Sequence, residues 1–281
     1  MTTRISALLF VFLLSAGASA QTVTFGEAAP LEGVTRTNTE AMDLDMDITA
    51  STDDGEQSMK MAQSERNTFT ETIHSSVDGR IMRRTVVFAE AVKESVQPMR
   101  GTKKNEPPII GITYEITVTD PEAPDQLEIV RVDGEAVAEE AKSFLSDKFD
   151  AHEKMRIDEI LGGRTMSVGE TLSLDGEDMK DFVTSFAAAD MEVQTVTLTL
   201  NAVSETDRGE VAVLGITSTF TQTSPFMEME ITMDGTISIF TESLWLQKME
   251  LSGNILGAGS HAGSSVSAEG TVSMMRAETY E

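Results

Sequence analysis

Histidine chemistry has three candidates in this chain, His74, His152 and His261. A metalloprotease-type zinc pair needs a second histidine four residues on, so that both imidazoles share one helical face. His152-Glu153 is followed by Arg156 in that place. His261 follows Ser260 in Gly259-Ser-His-Ala-Gly263, but a nucleophile elbow puts serine at the centre of that frame, where histidine stands here. Asp43, Asp45 and Asp47, with Asp54, echo the first, third, fifth and twelfth ligands of a calcium loop. The sixth position needs glycine for the sharp turn and is Ile48, and the intervening apolar residues demand an extended strand.

The glycines of Ile160 to Leu174, ILGGRTMSVGETLSL, pose the question of a phosphate cradle. A Walker loop requires Gly, four residues, then Gly-Lys-Ser/Thr. Gly163 and Gly169 are separated by five residues, and Glu170 stands where lysine belongs. The dinucleotide fingerprint fails too, because Gly162 and Gly163 are adjacent and the preceding segment is helical. There is no cysteine, which removes disulfides, thiolate metal sites and a cysteine nucleophile. The 47 acidic residues supply carboxylate pairs for glycoside hydrolysis, but one Trp and two Tyr are a poor stock of sugar-stacking rings. The expectation is a protein without catalytic residues, cofactor or metal site, a hydrolase without a recognisable motif ranking third among the functions considered.

Methionine is the residue type left to explain, 17 in all. In AMDLDMDI, Met42, Leu44, Met46 and Ile48 fall on one face of a strand and Asp43, Asp45 and Asp47 on the other, because successive side chains alternate. In MEMEITM, Met227, Met229, Ile231 and Met233 lie opposite Glu228, Glu230 and Thr232 in the same way. Polarizable, flexible thioethers adapt to varied apolar ligands. These eight apolar residues are therefore the candidate ligand-binding set, against ordinary core filling as the alternative.

Both segments describe half-buried antiparallel strands with one wet face. Runs rich in Thr, Val and Ile from 69–73, 81–88, 110–118, 193–200, 211–220, 237–240, 244–251 and 266–274 extend the pattern. Asp78-Gly79 and Asp234-Gly235 suit two-residue hairpins. Residues 98–108 and 120–126 read as proline-punctuated loops, and 257–265 as a flexible hairpin connection.

Two segments switch period. From 135 to 161, Val137, Ala141, Phe144, Leu145, Lys148, His152 and Met155 recur at steps of three and four, describing one amphipathic helix or two broken near Asp150. Met179, Phe182, Val183 and Phe186 describe a shorter one over 177–186, with Asp175 as its cap. The order of strands, helices and strands predicts an α+β fold, mostly antiparallel β. It is a large curved sheet or half-barrel in two similar halves, with a central helical segment packing on one face. The expected divisions are a leader at 1–20, a β-rich half at 21–134, a helical middle at 135–190 and a C-terminal meander at 191–281.

Arg4, the apolar run ISALLFVFLL and Ala18-Ser-Ala20 have the order of a secretory signal cleaved before Gln21. The run is well short of the roughly 20 residues that span a bilayer, so no stable membrane span is expected after cleavage. The chain is then exported, to a periplasm or beyond. A formal net charge of −26 repels phosphate backbones, so nucleic acid is not an expected partner.

Pro108-Ile-Ile-Gly111-Ile-Thr113-Tyr114, Asp133-Gly134-Glu135 and Val168-Gly169-Glu170-Thr171 cover about the middle third. On these motifs the chain resembles uncharacterised secreted bacterial proteins of unknown function, a resemblance that implies export and no activity. The leading functional expectation is an exported, non-catalytic protein binding an apolar small molecule such as a lipid on its Met-lined sheet face. The alternative is a structural or assembly partner of another envelope protein.

Overall fold

The computed structural model describes residues 21–52, 55–77, 80–97, 101–120, 126–149, 157–176, 179, 191–224, 227–261 and 264–281. Long antiparallel strands dominate it. In the N-terminal half these are β2 (Thr35–Thr52), β3 (Gly55–Val77), β4 (Arg80–Gln97), β5 (Gly101–Asn105), β6 (Thr113–Val118) and β7 (Leu127–Arg131). In the C-terminal half they are β9 (Thr171–Leu174), β10 (Met191–Thr206), β11 (Gly209–Thr223), β12 (Met227–Phe240), β13 (Leu246–His261) and β14 (Ser264–Tyr280). All twelve belong to one open sheet, in the order β7-β6-β4-β3-β2-β14-β13-β12-β11-β10-β9, with β5 pairing on β4. The seam is the β14–β2 ladder, which runs from Ser265↔Ser51 to Tyr280↔Arg36 and joins the last strand to the first long one. This is the mostly antiparallel α+β architecture expected.

One face of the sheet carries the cores. Helix α1 (Glu139–Lys148) places Ala141 and Leu145 four residues apart, and Phe149 follows at the same interval. All three are buried with Phe69, Phe88, Ile116 and Tyr114 of the N-terminal strands. The Phe149 ring meets Phe69 edge-on at 5.6 Å between centroids, a favoured aromatic geometry. Acidic Glu139 and Glu140 in the first turn and Lys148 in the last suit the helix dipole. Helix α2 (Ile157–Leu161) buries Ile157, Ile160 and Leu161 on the C-terminal strands. A small sheet of β1 (Thr22–Thr24) and β8 (Thr165–Ser167) adds Val23 and Met166 to that second core.

The strands run further than the apolar alternation alone indicated. Residues 257–261 and 264–265, expected in a flexible connection, continue the β13–β14 ladder to His261↔Ser264. Gly101–Asn105, expected in a loop, forms β5. Asp234-Gly235 lies inside β12 and makes no hairpin. The reason is spatial: a Cβ at Gly235 would stand 1.9 Å from the Glu250 carbonyl oxygen of β13, so glycine is there for close strand approach. Of the Gly-rich stretch, α2 ends at Leu161 and Gly163 holds the left-handed φ of 70°, as a helix terminus requires. The expected helix at 177–186 lies outside the described residues except for Met179, and Asp78-Gly79 lies outside them entirely.

Candidate functional site

The ladders bring the two methionine segments onto one face of the sheet. β12 and β2 are separated by β13 and β14, and directly opposed residues of antiparallel strands share a face. One row across the four strands reads Met233, Gly253, Val272, Leu44. The next reads Ile231, Ile255, Gly270, Met46, with Met61 of β3 beyond. A third reads Met229, Gly257, Ala268, Ile48, and a fourth Met227, Gly259, Val266, Ala50. Met42 lies at the other end, opposite Met274.

The centre of this strip, on β13 and β14, is mostly small, with Gly253, Gly257, Gly259, Gly270 and Ala268 beside Ile255, Val266 and Val272, and longer apolar side chains flank it on β12 and β2. Gly235, Gly253 and Gly270 step diagonally, one strand over and one row along each time. A Cβ at Gly253 or Gly270 would lie 2.2 and 2.4 Å from the carbonyl oxygens of Thr232 and Asp45. Such glycines bend a sheet, because crowded side chains would otherwise hold it flat.

Burial is uneven along the strip. Met46, Ile231 and Met233 are buried in the C-terminal core, while Leu44, Ile48, Met227 and Met229 are half-buried and pack against it. Met42 is half-buried as well. Met59, at the hairpin end beside Ile48, is 39 % exposed. Over Gly257 the space is filled from the side: the position of an absent Cβ is 2.8 Å from Met227 Sδ and 3.2 Å from Met229 Cγ. Methionine side chains therefore occupy the room the glycines leave.

The opposite face carries Asp43, Asp45, Asp47, Glu228 and Glu230 and bears two open grooves. One, of about 530 Å³, is lined by Asp43, Asp45, Glu94 and Asp234 among others. The other, of about 700 Å³, has Asp47, Glu228, Glu230 and Glu269 around Leu256. Among the described residues no group of three or more histidines and carboxylates is arranged to hold a metal ion. His74 sits exposed, 3.2 Å from the Thr85 hydroxyl, and His152 lies outside the described residues.

Beyond Met42 and Met274 the inner face turns from apolar to charged, a feature the sequence reading passed over. Glu71, buried on β3, accepts hydrogen bonds from Arg36 Nε at 2.8 Å, Asn38 Nδ2 at 3.0 Å and Arg84 Nη1 at 3.0 Å. Arg36 also donates to Glu278 at 2.8 Å, and Arg276 Nε donates to the other oxygen of Glu278 at 2.8 Å. Lys148 of α1 pairs with Glu40, and the Arg84 guanidinium lies 4.7 Å above the Phe149 ring. Tyr280 closes the cluster, its hydroxyl 2.7 Å from the Leu246 carbonyl and 2.5 Å from Glu278. Burial, then the Glu278 carboxylate, pushes that phenol far above its ordinary value. The signal was present in TRTNTE: Arg36, Asn38 and Glu40 are in phase with Met42 and Leu44.

No protein-family model and no curated protein sequence matches the chain. Among solved structures it is similar to lipovitellin, in a structure described as "Lipid-protein interactions in lipovitellin". The identity is 7 % and the TM-score 0.35, over 86 % of this chain and 25 % of that one. The chain therefore spans about a quarter of the lipovitellin chain it matches. No described helix is long and apolar enough to cross a membrane.

Proposed function

We propose that this is an exported, non-catalytic binding protein that holds an apolar chain along the methionine and glycine strip. One observation carries the reading: half-buried Met227 and Met229 lie over Gly257, filling by flexible side chains a space that a rigid core would fill with its own branched residues. Three rotatable bonds let a thioether swing aside at little cost, so such a space is closed when empty and available to a ligand. From Met42 to Ala50 the strip is about 26 Å long at a strand rise of ~3.3 Å per residue. An acyl chain filling one leaflet of a ~30 Å hydrocarbon core spans about half of that core, so the strip accommodates a long chain lying along the strands.

Native mass spectrometry of the protein purified from its source envelope tests this. A stoichiometric lipid-mass adduct lost on organic extraction is expected; a bare monomer that also fails to take up a long-chain detergent would sink the reading. The second reading, an envelope assembly partner, draws support from β7, the last strand at one end of the sheet, where Val130 is exposed, as is Val132 just beyond it. Unprotected edge strands recruit partners by strand addition. If that reading holds, Val130→Lys abolishes co-purification of the partner and leaves lipid uptake unchanged.

A further inference from the structure

Strand β1 begins at Thr22, one residue past the expected leader boundary, and its packing limits how far in the mature chain can start. Val23 and Phe25 are buried in the C-terminal core. The Phe25 amide donates to the Arg164 carbonyl at 2.9 Å, and the Gly26 amide to the Thr241 carbonyl at 2.8 Å. A boundary further in would strip β1 from β8 and leave those core positions empty, which destabilises as any core truncation does. The small residues Ala18 and Ala20 set the boundary immediately before Gln21.

Gln21 is exposed, yet its backbone is held. Its carbonyl accepts the Val168 amide at 2.8 Å, and the register Thr22↔Ser167, Val23↔Met166 sets it opposite Val168. A terminus tied into a sheet in this way stays ordered. Directly opposed residues share a face, so Gln21 is in phase with buried Val23 and lies beside Val168, which packs on the core. An α-ammonium against apolar surface is less favourable there than a neutral group. The Gln21 nitrogen donates to no group among the described residues, so acylation of that nitrogen breaks no hydrogen bond.

We propose that Gln21, once freed as the N-terminal residue, closes to a pyroglutamate lactam that caps β1. The free-base α-amine attacks the side-chain Cδ. The N–Cδ bond forms, the Cδ–Nε2 bond breaks, and the proton shed by the attacking nitrogen leaves with Nε2 as ammonia. No oxidant or second reactant enters, and amine and amide within one residue have the advantage of an intramolecular reaction. The cap removes the terminal positive charge, while the carbonyl bond to Val168 remains. This rests on the chain being exported with its leader removed, and the experiment separates the two.

The mature protein from its source envelope is digested with trypsin in the cold, with an isotope-labelled synthetic copy of the open peptide Gln21 to Arg36 added at the start. Tandem mass spectrometry is expected to find the native peptide predominantly one ammonia lighter than its open form, with the labelled copy still open. After pyroglutamyl aminopeptidase, Thr22 should be the first residue. In Gln21→Glu, whose carboxylate resists attack by the amine, the terminus should stay open with an unchanged circular dichroism spectrum. A mostly open Gln21 overturns the lactam and leaves the leader boundary standing, whereas a native chain that starts at any other residue overturns both. Closure of the labelled copy to the same extent assigns the lactam to handling and overturns it, as does closure in Gln21→Glu.

Discussion

Replacing Glu71 by glutamine tests whether the buried charged cluster fastens the two halves of the sheet together. The substitution keeps shape and volume, so no cavity forms. It removes a carboxylate that is 1 % exposed and accepts from two guanidiniums and one carboxamide. A glutamine amide in that place turns an NH₂ group toward at least one of three donors and leaves Arg36 and Arg84 with less negative charge in a low-dielectric setting. Breaking a buried ion pair from one side costs about 3–5 kcal/mol. With a urea slope of about 3 kcal/mol/M, the unfolding midpoint should fall by about 1 to 1.7 M with the slope unchanged. Asp45→Asn removes the carboxylate of an ion pair of the same length, 2.8 Å to Lys60, whose partners are more than half exposed; its midpoint should not move measurably. A loss below about 1 kcal/mol for Glu71→Gln, or equal losses for both variants, would refute the account of the cluster as a buried fastening.

Two further outcomes follow from the geometry. Gly235→Ala should destabilise by more than about 2 kcal/mol, because its methyl would have to displace a neighbouring strand's backbone; Gly257→Ala meets side-chain atoms only, those of Met227, Ala268 and Met229, and should cost less, about 1 kcal/mol, while weakening uptake of a long-chain ligand. A midpoint for Gly235→Ala equal to that for Gly257→Ala would contradict the close strand approach. For pH, the Arg83 guanidinium hydrogen-bonded to Glu115 holds that carboxyl below its ordinary value, and Arg131 does the same for Asp133. A depressed folded value means that each contribution is present above the unfolded pKa and is lost as pH falls through the folded one. Carboxyl-carbon NMR titration should show Asp133 rising toward the usual range in Arg131→Met, and no rise would refute the pairing.

The alternation in AMDLDMDI and MEMEITM was sufficient to put both methionine sets on one side of a sheet, because a period of two is a local property of an extended backbone. That the two sets lie level with each other, row by row, depends on the β12–β13, β13–β14 and β14–β2 registers, the last of which joins residues more than two hundred positions apart. No local pattern encodes that. Asp234-Gly235 misled for a related reason. A glycine after aspartate satisfies a type I′ turn as well as a crowded strand crossing, and only the position of the Glu250 carbonyl decides between them.

The charged cluster shows a different kind of loss. Its residues were in phase with the apolar face from Arg36 to Ile48 and from Val266 to Tyr280, so the alternation placed them inward. Charge normally marks a wet face, since an unpaired buried ion is costly. What reverses that expectation is the pairing of Arg36 with Glu71 and Glu278 across the seam. The seam also gives the cluster a consequence for binding. Glu40 and Arg276 stand directly opposite each other in the row next to Met42 and Met274, so the apolar strip ends where the fastening begins. A chain lying along the strands meets charge at that end and methionine along its length. Under the proposed reading, the strip's usable length is therefore set by the residues that hold the two halves together.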